Sequence, residues 1–437
     1  MHTCGLWSVT CDQRVAEWML LALCISLFPV PAMADEHPTI PSSQQPLTLN
    51  ECYQLALKRS ETIAIDQEII KETEGRFLQA LSAALPHVSF ESSDKRQDGT
   101  GTSSFTLRNV PERKFAFHQP LFSGFKEFAA MAGSRAERRQ RIQEKVRAEQ
   151  LLFVDVADAF YLLLEQREDR RALEATRGAL VNRLDELKER QRLGRSRATE
   201  VVTAEAQLRR VEAELEQTHG GERISQHLLD FLTGLDHIEA LADPETSLPA
   251  LDPEAVYLAK AASRPDLRAS EETWHVAEKT VRVAQGGLFP TVSVDANYYV
   301  DRAGAAEDVK WDAALLVHVP IFQGGQGTGA IKEASAKARE AKLRYTQQQR
   351  SVALDIHEAY TRLDSALAIT NAFGKALEAA EKSYRLETED YRLNLVSNLE
   401  VLQTLQALQD ARRDDIHARY DAKRLYWQLR VATGDTV

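Results

Sequence analysis

The side chains best placed to do chemistry are two histidines and two glutamates, and the members of each pair lie 200 residues apart. His118 and His318 stand in the similar segments FHQP and VHVP, and Glu200 and Glu400 are each followed by a valine. A zinc site needs about four ligands close together, and neither histidine has a neighbouring histidine or cysteine. The sequence also has no phosphate-binding loop, nucleophile elbow or metalloprotease helix. These residues therefore favour a protein that is not an enzyme, with no cofactor and no bound metal.

The spacing of these residues belongs to an internal repeat that covers most of the chain. Residues 82–90 (SAALPHVSF) recur 204 positions later as 286–294 (GGLFPTVSV), and residues 117–124 (FHQPLFSG) recur 200 positions later as 317–324 (VHVPIFQG). A third pair, residues 192–202 and 392–402, again lies 200 positions apart. Self-similarity at one period indicates a duplicated unit, so we expect two similar halves of about 200 residues.

We divide the chain at these repeats. The expected segments are a signal peptide (1–34), an N-terminal extension (35–46), a first repeat (47–240), a linker (241–252), a second repeat (253–434) and a C-terminal tail (435–437). The apolar run 18–28 is too short to span a bilayer as a helix, and PVPAMA before Asp35 is typical of a cleavage site. A lipoprotein signal ending at Cys24 is the alternative, although bulky Leu23 precedes it. With cleavage before Asp35, Cys52 is the one cysteine of the mature chain, which excludes an intramolecular disulfide.

Charge and hydropathy exclude two further classes of protein. The net charge of −11 argues against a nucleic-acid-binding protein, which would show a basic face. No apolar run after residue 34 reaches the 18 or so residues of a transmembrane helix. If the mature chain enters a bilayer, we therefore expect it to do so as a closed β-barrel.

Two pairs of strands are predicted, at about 87–119 and 291–319. In the second pair the side chains alternate with period two: one face holds Val292, Val294, Ala296, Tyr298 and Val300, and the other holds Thr291, Ser293, Asp295, Asn297 and Asp301. Strands of about ten residues with this pattern are typical of membrane β-strands. A pair of soluble hairpins is the alternative. In a barrel, His118 and His318 would lie at the rim.

Long helices occupy the rest of each repeat. Residues 124–193 and 325–393 contain no proline and are rich in Ala, Leu, Glu, Gln and Arg with helical periodicity, so each is predicted to form a helix of about 100 Å. Gly194 and Asn394 interrupt these runs at equivalent places. Return helices are predicted at about 198–232 and 397–431. Each repeat thus reads helix, strand, strand, long helix, turn, return helix.

The number of strands predicts the number of chains. Four strands cannot close a barrel, two chains would give eight strands around a filled interior, and three would give twelve strands around an open lumen. A homotrimer is therefore the smallest assembly that could conduct.

These features together resemble the TolC family of outer-membrane efflux proteins. The resemblance covers residues 47–434 and rests on the duplication, the two P-x-F-x-G junctions, the opening segment 47–57 (LTLNECYQLAL), RPDL at 264–267 and YRLNLVSNLEVL at 391–402. It implies a mainly α-helical fold with transmembrane β-strands: four strands per protomer in a trimeric twelve-stranded barrel, continued by a helical periplasmic tunnel. The implied function is an outer-membrane exit duct for efflux or type I secretion. The implied partners are outer-membrane lipid, a periplasmic adaptor (membrane fusion) protein and an inner-membrane transporter.

The resemblance also implies roles for residues near the two turns. Glu400 matches an acidic residue of the periplasmic aperture, and Gln403 stands where a second acidic residue is found. Glu200 and Tyr391 match residues that tether neighbouring helix pairs, whereas Val396 replaces an arginine of that latch. Arg195 or Arg197 could substitute for it, and the alternative is that both are simply solvated. Gly194 and Asn394 mark the tip that docks on the adaptor. In a ring of three Glu400 carboxylates, like charges are expected to raise the pKa.

Two other classes of protein compete with the duct. A periplasmic adaptor or structural coiled-coil protein would also be exported and rich in long helices, but it would need no membrane strands. A solvated helix face is the alternative for Glu200 and Glu400, and simple packing at a helix end is the alternative for Tyr391. A passive porin is disfavoured because porins place most of their chain in strands.

Overall fold

The computed structural model describes residues 46–244 and 248–435. The predicted signal peptide, the alternative lipoprotein site, residues 35–45 of the extension and residues 436–437 of the tail lie outside this part. Its helices are α1 (Leu49–Arg59), α2 (Glu61–Ser82), α3 (Lys126–Arg192), α4 (Ala198–Thr233), α5 (Glu254–Ala259), α6 (Pro265–Gly286), α7 (Gln326–Arg392) and α8 (Asn398–Ala432), with a 3₁₀ turn at Ala261–Ser263. Its strands are β1 (His87–Arg96), β2 (Asn109–Phe122), β3 (Thr291–Arg302) and β4 (Trp311–His318).

The two longest helices have the same length and lie at equivalent places in the repeat. Helices α3 and α7 each contain 67 residues, and each begins and ends 200 positions from its counterpart. At 1.5 Å per residue each is about 100 Å long. Each packs antiparallel to the return helix that follows it, α4 or α8. The predicted order of elements is thus confirmed, while the domain boundaries stay a prediction.

The strands form one antiparallel sheet in the order β1-β2-β3-β4. His87 pairs with His118 in the first hairpin, and Thr291 pairs with His318 in the second. Strands β2 and β3 join the two repeats, with His118 opposite Asp295. Simple alternation predicts Asp301 on the polar face of β3. A bulge near Arg113 shifts the register, so that Asp301 instead pairs with Arg113 on the other face.

The two faces of the sheet differ in chemistry. One face carries an aromatic row with one residue from each strand, which is exposed in the single chain: Phe90, Phe115, Tyr298 and Trp311. The opposite face carries hydrogen-bonded polar side chains. On this face Lys114 lies 3.3 Å from Glu91, and the Tyr299 hydroxyl donates to Asp312 over 2.8 Å. Among the described helices, none combines the length and the hydropathy that a bilayer-spanning helix needs.

The main hydrophobic core lies where α1, α3, α4 and α8 meet. Phe153 packs edge-on against Tyr53 and at a steep angle against Trp427, with both pairs of ring centroids 5.1 Å apart. Cys52 is fully buried in this core, and burial raises the pKa of its thiol to about 12. The thiolate is the reactive form of cysteine, so Cys52 is a packing residue and not a nucleophile.

Ion pairs between α3 and α8 connect the first repeat to the second, just beyond this core along α3. The Arg413 guanidinium of α8 makes a bidentate contact with Asp169 of α3, at 2.8 and 3.0 Å. One turn further on, the His417 Nδ1 lies 2.6 Å from a carboxylate oxygen of Glu165. The hydrogen bond from Glu165 raises the pKa of His417, against the smaller opposing effect of burial.

We expect this histidine to make stability fall as pH rises. A raised folded-state pKa means that the stabilisation is complete below the unfolded pKa of about 6.5 and disappears as pH rises through the folded value. Thermal unfolding followed between about pH 6 and 9 should therefore show a falling midpoint. In His417→Gln, which keeps a hydrogen-bonding side chain without the titration, that slope should be smaller. Equal slopes in the two proteins would contradict the assignment.

Candidate aperture at the tip of the long helices

The turns that end α3 and α7 lie side by side at the end of the helices remote from the sheet. We call residues 193–197 and 393–397 the tip. In both turns a residue with positive φ follows the helix, Gly194 at 73° and Asn394 at 59°. The next amide closes the helix by donating to the carbonyl five residues back, from Arg195 to Arg190 and from Leu395 to Asp390. This is a Schellman ending, which explains why glycine and asparagine, the residues that best tolerate positive φ, occupy these positions.

The two predicted acidic residues cap the return helices. The Glu400 carboxylate accepts a hydrogen bond from the Ser397 amide over 2.6 Å at the start of α8. The Glu200 carboxylate accepts from the Arg197 amide over 3.4 Å and from the Ser196 hydroxyl at the start of α4. The hydrogen bonds from Ser397 lower the pKa of Glu400. Within one chain this is the reverse of the shift expected from a ring of like charges.

Tyr391 is buried between two arginines that come from the other repeat. The Arg183 guanidinium carbon lies 3.7 Å from the centroid of the Tyr391 ring, and that of Arg190 lies at 4.7 Å. Arg190 also donates to the Tyr391 hydroxyl over 3.0 Å. Arg183 Nε donates to the Asn398 side-chain oxygen over 2.8 Å, and Asn398 is buried as well. Two cation–π contacts and two charge-assisted hydrogen bonds therefore attach the second-repeat turn to α3.

Within the single chain, the remaining predicted tip residues do not make the contacts that the resemblance implies. Within the chain Glu200 forms hydrogen bonds with Ser196 and Arg197 rather than with Tyr391, and Gln403 is exposed on the first turns of α8. Val396 is half-buried. Arg195 and Arg197 are exposed and, within the described residues, form no ion pair. The arginines that hold the turn are Arg183 and Arg190. They precede the tip by several residues, and the resemblance implied no role for them.

The tip also exposes leucines that the sequence analysis passed over. Leu193 and Leu393 occupy equivalent positions, with 64% and 67% of their surfaces exposed, and Leu395 is 70% exposed. Isolated leucines on a surface are ordinary, but several on two adjoining turns form an apolar patch of the kind that protein partners cover. These leucines lie next to the predicted turn residues Gly194 and Asn394, and that position was the sequence signal that could have identified them.

The histidines lie at the opposite end of the long helices, where the strands join them. The His118 Nδ1 contacts the Asp295 carboxylate across the β2–β3 pair. His318 is the last residue of β4. Over the described ranges, no group of three or more histidine, cysteine, aspartate or glutamate side chains is arranged to hold a metal ion.

Three kinds of comparison relate the chain to known proteins. Residues 257–435 match the model of the family described as "Outer membrane efflux protein". The chain is 23% identical over 308 residues to outer membrane protein TolC of Vibrio cholerae, covering 68% of this chain and 70% of that protein. It is 23% identical over 294 residues to outer membrane protein TolC of Escherichia coli, covering 62% of this chain and 59% of that protein.

Solved structures share the fold over almost the whole chain. The outer membrane protein VceC of Vibrio cholerae superposes with a TM-score of 0.78 at 21% identity, covering 89% of this chain and 96% of that one. CusC superposes with a TM-score of 0.79 at 15% identity, covering 89% and 92%. At these identities the likeness establishes the arrangement of helices and strands.

Proposed function

We propose that this chain, a TolC-like outer-membrane efflux protein with a large periplasmic helical portion, forms the trimeric exit duct of a tripartite efflux or type I secretion system. One observation carries the proposal: a four-stranded sheet with one apolar face and two open edges is joined directly to helices of 67 residues. Three such sheets close a twelve-stranded barrel with a lumen. The helices continue that lumen into the periplasm. The duct is a passive conduit and catalyses no reaction.

The aromatic row supports the orientation of the sheet in a membrane. Phe90 and Phe115 lie with ring centroids 5.1 Å apart, and Tyr298 and Trp311 continue the row on the next two strands. Aromatic girdles of this kind lie at the water interfaces of membrane barrels, with their rings toward lipid. The opposite face, which carries Glu91, Lys114 and Asp312, then lines the lumen.

Fractionation and conductance test the proposal together. A duct remains in the outer membrane and, after detergent extraction, forms ion-conducting channels in planar bilayers. A periplasmic adaptor or structural coiled-coil protein would be released or would sediment with inner membrane, and it would conduct nothing. Either of those results would refute the duct.

We propose that three Glu400 carboxylates form the aperture at the tip and favour cations there. Glu400→Gln should reduce cation selectivity in planar bilayers at low salt, where screening is weakest. The amide oxygen can still accept from the Ser397 amide, so the cap of α8 is retained. The hydrogen bonds from Ser397 lower the pKa of Glu400 in the single chain, whereas like charges in the ring would raise it, so the pH at which the wild-type selectivity is lost reports which effect is larger.

Glu200→Gln is the matched control for this experiment, because it removes the equivalent charge from the first repeat and leaves the aperture ring intact. Its cation selectivity should equal that of the wild type. If Glu400→Gln also leaves selectivity unchanged, Glu400 is only a helix cap on a solvated face.

We further propose that the exposed tip leucines dock the periplasmic adaptor that connects the duct to its inner-membrane transporter. Leu393→Glu should abolish export by the assembled system while leaving membrane insertion intact, because a charge in a buried apolar contact is costly. Leu393→Met keeps an apolar side chain and should export normally. This substitution is more informative than Gly194→Trp, since a side chain at the positive φ of Gly194 would also strain the turn. Loss of the trimer in Leu393→Glu would make the tip structural rather than a docking surface.

A further inference from the structure

The sheet of one chain ends in two unpaired edges, and the internal repeat predicts how they join. Strands β1 and β4 are the outer strands, and over the described residues neither edge pairs with another strand. In the trimer proposed above, on which this inference rests, β4 of one protomer meets β1 of the next. The register of that contact is open unless something in the chain specifies it.

The two hairpins are copies of each other at the level of single residue pairs. Each β3 residue lies 204 positions after its β1 counterpart, and each β4 residue lies 200 positions after its β2 counterpart. Under these offsets the observed pair His87–His118 becomes Thr291–His318, which is also an observed pair. The same holds for Phe90–Phe115 and Val294–Leu315. The contact between β2 and β3 is therefore a template, inside one chain, for the contact between β4 and the neighbouring β1.

The template contains a histidine opposite a carboxylate. His118 pairs with Asp295, and their side chains are in contact. The counterpart of His118 on the free edge of β4 is His318, and the counterpart of Asp295 on the free edge of β1 is Glu91. We propose that His318 lies opposite Glu91 of the neighbouring protomer and that this pair specifies the register in which the three sheets close.

The surroundings of both residues fit this contact. Over the described residues the His318 side chain makes no hydrogen bond, and the Glu91 side chain, although 3.3 Å from Lys114, remains 57% exposed. A slip of two residues in either direction keeps the side chains on the same face but places Ser89 or Ser93 opposite His318. Neither serine supplies a charge. The pairing of histidine with a carboxylate thus discriminates between registers that alternation alone would allow.

Cysteine cross-linking of the full-length protein in outer membranes tests the register. Residues directly opposite on antiparallel strands have Cα atoms about 4.5–5.5 Å apart, within the range of a disulfide, whereas diagonal neighbours are about 7–8 Å apart. The test pair is Glu91→Cys with His318→Cys. A second pair on the same predicted register, Ser93→Cys with Leu316→Cys, covers the case in which the first variant fails to assemble. Cys52 can stay in place because its thiol is fully buried.

Under mild oxidation both test pairs should give linked dimers and trimers on non-reducing gels. The offset pairs Ser89→Cys or Ser93→Cys with His318→Cys, and each single-cysteine variant, should give about tenfold less product. Preferential linkage of an offset pair would overturn the proposed register while leaving the trimer intact. Absence of linkage in both test pairs, with native mass spectrometry still showing three chains, would also overturn it. A monomeric wild-type protein would instead refute the trimeric duct itself.

Discussion

Replacing Arg183 with alanine should loosen the tip and increase the fraction of open channels. In the structure this side chain stacks on Tyr391 and donates to Asn398, so its removal deletes a cation–π contact and a charge-assisted hydrogen bond between the repeats. Such contacts are worth about 2 kcal/mol together, which corresponds to roughly a thirtyfold change in the ratio of open to closed states. One guanidinium nitrogen, Arg183 Nη2, is buried without a partner among the described residues, so this contact leaves one hydrogen-bond donor unsatisfied. Single-channel recordings in planar bilayers measure the change directly.

Arg192→Ala is the matched control for this prediction. Arg192 lies on the same helix near the tip, its side chain is 76% exposed, and in the described part of the chain its one ion pair is with Glu189 on its own helix. Its conductance should equal that of the wild type. Arg183→Lys keeps the charge but not the planar stack, so its fraction of open channels should lie between those of Arg183→Ala and the wild type. Wild-type gating in Arg183→Ala, with the protein assembled, would show that Tyr391 merely packs at a helix end.

Replacing Arg413 with alanine should strongly reduce the local stability of the interface between α3 and α8. Asp169 is 1% exposed and receives a bidentate contact from Arg413, so the substitution leaves a buried carboxylate whose remaining described contact is Thr218 at 3.4 Å. Leaving one member of a buried ion pair uncompensated costs about 3 kcal/mol or more. Amide hydrogen exchange near Asp169 and Arg413 should accelerate by roughly a hundredfold if these amides exchange through local opening.

The neighbouring residue supplies the control. Arg412 pairs with Glu381 at 3.1 Å, but both side chains are substantially more exposed than Asp169, at 34% and 52%. Exposed pairs contribute about 0.2–1 kcal/mol, so Arg412→Ala should change exchange by no more than a fewfold. Similar acceleration in the two variants would mean that the buried pair between α3 and α8 does not hold the repeats together.

The sequence predicted the elements well because their signals are local or repeated. Helix α3 was expected at about 124–193 and spans Lys126–Arg192, since a proline-free run between a glycine and a turn glycine has few alternatives. The capping role of Glu400 also had a local signal, because Ser397 followed three residues later by glutamate is the pattern of a capping box. Glu400 can cap α8 and still belong to a proposed aperture ring, so the two roles are compatible.

The contacts that hold the tip and the helix interface could not be predicted in the same way. Arg183 and Tyr391 are 208 positions apart, and Asp169 and Arg413 are 244 apart. Which arginine of a long charged helix meets a given partner depends on how the helices rotate and shift against one another. Periodicity does not specify that rotation. The bulge near Arg113 is of the same kind, because one extra residue reverses the face of Asp301 without any change in the sequence pattern.

Native mass spectrometry of the protein extracted from the outer-membrane fraction tests the central claim most directly. The sheet order β1-β2-β3-β4 supplies four strands per chain, and three chains are the fewest that close a barrel with an open lumen. We expect a complex of three identical chains that survives detergent extraction. A stable monomer, or a protein found in the soluble or inner-membrane fraction, would contradict the duct.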